Sequence, residues 1–182
     1  IPEGDKERLK WLGVFLRRQT PGRLMMRLRM PNGVTSANQF RSLGEVASRY
    51  GKGFADITTR QQVQLRWFEI GEVPQIWSKL SEVGLTSLQT GMDNIRGVVG
   101  CPVAGLTPDE LFDASPVVRE LTGMFLGNKE FTNLPRKMNI TITGCRHNCT
   151  GAESQDIALT PATKAVGDET VGGFNVAVGG KM

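Results

Sequence analysis

The chain is 182 residues long, 39% apolar and 22% charged, which suits one good-sized globular domain or two small ones and excludes a disordered or fibrous protein. No apolar run approaches the roughly 20 residues of a membrane-spanning helix, and the basic, Trp-containing start lacks the apolar core and small-residue cleavage site of a secretory signal. A net charge of +4 with a pI near 9.2 favours anionic partners, while three cysteines argue against a disulfide framework and fit a reducing compartment, the cytoplasm or an organelle stroma.

In chain order, residues 1–22 read as a helical segment, with Leu9, Leu12, Phe15 and Leu16 at helical spacing over 5–20 and a stop at Thr20-Pro21-Gly22. Residues 24–30 alternate, Met26, Leu28 and Met30 against Arg27 and Arg29, which predicts a strand. After a turn at Pro31-Asn32-Gly33, Ser36 and Gln39 form a capping box for a helix with Phe40, Leu43, Val46, Ala47 and Tyr50 on one face, ended by Gly51 and Gly53. Residues 54–70 alternate over a long run, Ile57, Val63, Leu65 and Trp67 on one side and Thr58, Arg60, Gln62, Gln64 and Arg66 on the other. Ile76, Trp77, Leu80 and Val83 predict a second helix closed by Gly84, and 85–90 a third strand. Residues 23–90 thus make a compact α+β unit. A glycine-rich stretch, 91–105, opens a second unit over 91–182: a helix at 115–126 with Ser115 as cap and Pro116 in its first turn, then strands near 138–143, 155–160 and 174–178. The chain starts without methionine at Ile1 and stops just after a strand-like run, as a piece of a longer protein would.

The polar side of 54–70 holds no acid after Asp56, and in one continuous strand Arg60 and Arg66 stand roughly 20 Å apart. Planar guanidinium forks at that separation suit the two ends of a large polyanion; a basic sheet surface accounts for them equally well. Arg96 lies on a loop after Gly91, where ligand-holding side chains concentrate, and Arg136 and Lys137 follow the helix-breaking Pro135. For these the ordinary alternatives are a surface arginine and a solvated turn. Lys137, Asn139 and Thr141 share one strand face, so a cation and an amide point at the same target. Cys145 and Cys149 bring two thiols to one side of a turn, half of an iron–sulfur or zinc site. A cubane cluster takes four thiolates, Cys101 is the only further cysteine, and His147 is crowded between the pair as a fourth zinc ligand, so free thiols are the favoured reading. A stand-alone basic module that uses Cys145, His147 and Cys149 for zinc and binds nucleic acid or a protein stays open on the residues alone.

Several phrases, taken in order, resemble one family, the siroheme-containing nitrite and sulfite reductases, and most closely those dependent on ferredoxin that reduce nitrite. They are Arg8-Leu-Lys-Trp-Leu-Gly13, Thr20-Pro-Gly22, Arg27-Leu-Arg29, Pro31-Asn-Gly33, Asp56-Ile-Thr-Thr-Arg-Gln61, Gln64-Leu-Arg66, Val83-Gly-Leu-Thr86, Gly91-Met-Asp-Asn-Ile-Arg96, Pro102-Val-Ala-Gly105, Thr132-Asn-Leu-Pro-Arg-Lys137 with Asn139, and Asp156-Ile-Ala158. The resemblance covers the family's first half only. It implies an α+β fold in which a ferredoxin-like half domain precedes a siroheme/4Fe-4S-type domain, the first of two pseudo-symmetric copies. It also implies siroheme and a [4Fe-4S] cluster in the intact enzyme, with the cluster ligands in the second half and not in this chain. The implied partners are ferredoxin or a similar electron donor, the C-terminal half and nitrite, and neither nucleic acid nor a membrane. By position, Arg60, Arg96 and Lys137 match basic residues that receive the substrate anion over siroheme. Asn139 stands where sulfite reductases tend to carry a second lysine, which makes the chain nitrite-type and a sulfite reductase half the alternative. Gln62, Gln64, Arg66 and Arg136 are placed to hold siroheme carboxylates with the same cations. Cys145 and Cys149 mirror a second-half cluster pair, a relic of duplication before a metal site, and Gly97 departs from the Asn that relatives often carry.

Overall fold

In the computed structural model, which describes residues 1–180, α1 (Glu3–Trp11) is shorter than its periodicity predicts. The chain leaves the helix at Gly13, with φ +77°, and forms β1 (Val14–Leu16) instead. A Cβ at Gly13 would lie 2.2 Å from the Ser87 carbonyl oxygen, so a distant segment rather than the local pattern sets the stop. Gly13→Ala is therefore expected to lower the apparent melting temperature by about 4 °C or more, from the roughly 1–2 kcal/mol cost of a left-handed L residue plus the clash. A thermal scan of the variant that overlays the parent would show that the 87–90 segment simply moves aside.

β2 (Leu24–Leu28) and α2 (Ala37–Tyr50) form where predicted, and both halves of the capping box are made: Gln39 N–H donates to Ser36 Oγ at 3.2 Å and Ser36 N–H to Gln39 Oε1 at 2.9 Å. Leu43, Val46 and Ala47 reach the core, whereas Phe40 is 64% exposed. The expected long strand at 54–70 is a hairpin, β3 (Ala55–Ile57) and β4 (Val63–Phe68), paired antiparallel. Its turn is closed by Thr58 N–H donating to Gln62 O at 2.9 Å, with Gln61 at φ +56°. Polar residues continue the alternation through this turn, which is why a period of two does not disclose it. Arg60 thus sits at the hairpin tip and Arg66 inside β4. Trp67, at φ +76°, lies beside the register shift against β2, and Phe68 rather than Trp67 joins Leu65 in the core.

The sheet order is β1-β2-β4-β3, antiparallel throughout. α2 and α3 (Val73–Ser81) supply Leu43, Val46, Ile76 and Leu80 to a core shared with Met26, Leu28, Leu65 and Phe68. The strand expected at 85–90 does not form. Gln89 is at φ +56°, and the segment bonds outward, accepting from Arg29 N at Thr86 O (2.9 Å) and donating from Gln89 N to Trp11 O (2.8 Å).

In the second unit α4 (Ser115–Phe125) begins with Ser115 as its first helical residue and not its cap; Ser115 N–H donates to the Asp113 carboxylate at 2.8 Å. β5 (Ile140–Ile142) pairs parallel with β6 (Ile157–Val166), which pairs antiparallel with β7 (Glu169–Val178). The last two strands exceed their predicted lengths because their shared turn end is mostly exposed and carries no burial pattern. Ile95 and Val99 make parallel bridges to Met138 and Thr141, and a second core gathers Ile95, Val98, Val118, Ile140 and Ile142. Between the cores Arg29, 5% exposed, donates to the carbonyls of Leu88, Gln89 and Ile95 at 3.3, 2.8 and 2.9 Å. The last two positions of the second predicted unit, 181 and 182, lie outside the described residues. Among the described residues no helix is long and apolar enough to cross a membrane.

Candidate functional site

The two units meet around a cavity of about 250 Å³ whose lining includes Arg27, Arg60, Arg96 and Lys137 with Gln62, Gln64 and Asn139. Each residue arrives for a backbone reason. Arg27 lies on β2 between the buried Met26 and Leu28, so the pleat turns it to the opposite face, and the register sets it across from Gln64. Arg96 N–H donates to Met138 O at 2.8 Å, which brings Arg96 beside Lys137 and Asn139. The hairpin tip is clamped to the second unit by Gln61, whose amide donates to Gly100 O at 2.8 Å and accepts from Gly100 N at 3.0 Å. A Cβ at Gly97 would come within 1.7 Å of Gln62 Nε2, so an asparagine there would require Gln62 to shift.

The guanidiniums are held largely by main chain. Arg60 donates to Gly97 O at 3.1 Å and to Gln155 Oε1 at 3.5 Å, and Arg27 and Arg96 both donate to Thr90 O, the former at 3.2 Å. Arg27 also stacks 4.9 Å over the Phe15 ring. Among the described residues no carboxylate lines the cavity. Burial, and then repulsion from Arg27 and Arg60, pushes Arg96 down to about 10 against the pull of Asp93. Arg60 is lowered by burial and then by Arg27, with Asp156 opposing, and Arg27 by burial and then by Arg17. All three stay protonated near neutral pH. Their lowered values mark buried, mutually repelling positive charge that Asp93 and Asp156 only partly offset, a condition that an incoming anion relieves. Arg60 Nε and Gln62 Nε2 are buried donors with no partner among the described residues.

The structure brings Arg60, Gln62, Gln64, Arg96, Lys137 and Asn139 to this one cavity. Arg136 is exposed on an adjoining open cleft with Asp93 and Pro135. Arg66 is outside the lining: it pairs with Asp56 and donates to Gln64 Oε1 at 3.0 Å, orienting that amide. Thr141, expected on the face of Lys137 and Asn139, is fully buried and donates to Val99 O at 3.0 Å. Sequence reasoning missed Arg27, although its alternation with Met26 and Leu28 was legible. It also missed Asp156, whose carboxylate accepts the Asn139 N–H at 2.6 Å.

A second cavity of about 560 Å³ shares Thr58, Thr59, Arg60 and Asn139 with the first and extends to Cys149. Cys101 and Cys145 are buried and Cys149 is exposed. His147 is exposed and its Nε2 lies 2.9 Å from Asp109 Oδ2. Among the described residues no group of three His, Cys, Asp or Glu side chains is arranged to hold a metal ion.

Two family profiles match this chain, the nitrite/sulfite reductase ferredoxin-like half domain over residues 16–83 and the nitrite and sulphite reductase 4Fe-4S domain over residues 91–182. The chain is 48% identical to the ferredoxin–nitrite reductase of Leptolyngbya laminosa, over 99% of this chain and 36% of that protein. It is 46% identical to the chloroplastic ferredoxin–nitrite reductase of Arabidopsis thaliana, over 95% of this chain and 30% of that protein. The structure of the Mycobacterium tuberculosis NirA protein matches with a TM-score of 0.88 at 30% identity, over 99% of this chain and 35% of that one. This chain spans about a third of the length of the curated relatives that it matches.

Proposed function

The chain belongs to the nitrite and sulphite reductase family, and from that premise we propose that it is the anion-receiving half of an assimilatory enzyme that reduces nitrite to ammonium with electrons from ferredoxin. The observation that carries this reading is a cavity that collects four cations and, among the described residues, no carboxylate on its wall. Nitrite is a small anion whose desolvation is costly unless fixed cations receive it. At an effective dielectric near 20, a unit charge pair about 4 Å apart is worth about 4 kcal/mol, so several prepositioned cations offset that cost.

A carboxylate-rimmed macrocycle such as siroheme fits the same lining. Arg60 and Gln62, each with a buried donor that lacks a partner, would hold its carboxylates together with Gln64 and Arg136. When bound, siroheme supplies the iron through which electrons reach the substrate, and the [4Fe-4S] cluster belongs to the C-terminal half outside this chain. Within the chain, Arg27, Arg60 and Arg96 orient the anion and stabilise the negative charge that develops on its oxygens. Lys137 carries a proton that it can give up directly or through water. Asn139 contributes a neutral amide where a second lysine would add charge to an already repulsive cluster. The setting that goes with a ferredoxin donor is the cytoplasm, or the plastid stroma in a plant or alga.

The test is the full-length protein, which should show a siroheme Soret-type band and form ammonium from nitrite with reduced ferredoxin; a preparation with neither overturns the reading. Substrate choice gives a finer check. Asn139→Lys is expected to shift the kcat/KM ratio toward sulfite, the more highly charged anion, by about tenfold or ~1.4 kcal/mol. An unchanged ratio would mean that Asn139 does not face the substrate.

A further inference from the structure

The chemistry above uses none of the three cysteines, yet two loops bring them together. Residues 97–102 are clamped to the hairpin tip through Gly100. Residues 144–150 follow β5, and their start is fixed by Leu111 N–H donating to Gly144 O at 2.7 Å and by the bridge from Glu110 to Cys145. Cys145 is accordingly 2% exposed. Cys149, four residues on, is open to solvent and lines the second cavity together with Gly100 and Pro102, the residues on either side of Cys101. Cys101 itself is 4% exposed. Its thiol is pushed up by burial, and further by the nearby Cys149 and Cys145 thiols. One accessible thiol therefore shares a cavity wall with the residues on either side of one shielded thiol, an arrangement suited to an attacking and a resolving cysteine.

We propose that Cys149 and Cys101 are a redox pair that closes to a disulfide on the wall of this cavity. The Cys149 thiolate attacks one sulfur of a low-molecular-weight disulfide such as oxidised glutathione, forming a mixed disulfide and releasing one small thiol. Cys101 then loses its proton and displaces the second small thiol from the Cys149 sulfur. The protein gives up two electrons and two protons, and the small disulfide takes up both to become two thiols. Cys145 is the competing partner by spacing, but Cys149 lines the cavity wall with Gly100 and Pro102, the two residues that flank Cys101. The bond would tie the 144–150 loop to 97–102 on the wall that also carries Arg60 and Asn139, and in a reducing compartment it would be transient.

The experiment uses the full-length protein with its prosthetic groups. It is incubated with oxidised glutathione, the excess is removed, free thiols are blocked with iodoacetamide in denaturant, and peptides are mapped without reduction. Alkylated Cys149 should fall at least fivefold and appear in a peptide linked to Cys101, with dithiothreitol restoring it. Cys101→Ser should leave Cys149 carrying a glutathione, and a variant with Cys149 unmodified would show that it is not the first attacker. The assignment is overturned if Cys149 in the parent protein stays alkylated, as it will if the remainder of the protein covers it. It is equally overturned by a link to Cys145 or to a cysteine outside this chain.

Discussion

In the full-length protein, Lys137→Met is expected to lower nitrite turnover about 10²-fold while siroheme content stays at the parent level. The substitution removes a charge and an ammonium proton but keeps most of the side-chain length. The rival proton source is Arg96, which at about 10 enters the ordinary range of a lysine. After burial, however, its lowering comes from Arg27 and Arg60. A bound anion offsets that repulsion, raises Arg96 and makes it hold its proton more tightly when substrate is present. Lys137 lines the same cavity and is exposed, so it can be reprotonated from solvent. Turnover should therefore change more than KM. Steady-state nitrite reduction and the visible spectrum, taken on one sample, decide it: parental turnover with full siroheme would reduce the 134–137 segment to a structural turn.

Arg29→Met should destabilise the protein by about 3 kcal/mol or more, read as a fall of roughly 6–12 °C in the apparent calorimetric midpoint. Arg29 is the buried tie between the units, one guanidinium serving the carbonyls of Leu88, Gln89 and Ile95. Two effects oppose each other. Burial first and Arg96 second push Arg29 down to about 10, so a neutral methionine relieves some repulsion and desolvation. Against this, three carbonyls next to the Arg96 loop lose their donor in a place that water reaches poorly, and that loss is the larger. Arg29→Lys keeps the charge but cannot span all three carbonyls, so it should recover less than half of the lost stability. A methionine variant within about 2 °C of the parent would mean that water satisfies these carbonyls and that the units are held elsewhere.

Legibility of the sequence followed locality. The Ser36–Gln39 capping box and the helices at 37–50 and 73–81 were readable because their signals lie within a turn or two of the residues they govern. Readings failed where a distant segment intervened. Gly13 ends α1 because Ser87 presses against it, and 85–90 is no strand because its groups bond to Arg29 and Trp11. At 58–62 the failure had another cause, since a polar turn kept the same alternation as the strands it joins.

By itself the sequence determined the α+β class, the family through its ordered phrases, and most of the candidate lining, because Arg60, Gln62, Gln64, Arg96, Lys137 and Asn139 are polar residues in patterns that have no use for them in a core. Only the tertiary structure decided that Arg27 joins them, that Arg66 instead pairs with Asp56, that Thr141 turns inward to Val99, and that Cys149 reaches the wall formed by the neighbours of Cys101. The pleat of a strand fixes locally which way a side chain leaves the backbone. What it then faces depends on pairings such as Arg27 with Gln64 and Ile95 with Met138, hydrogen-bonded registers between segments far apart in the chain, and those registers leave no trace in local periodicity.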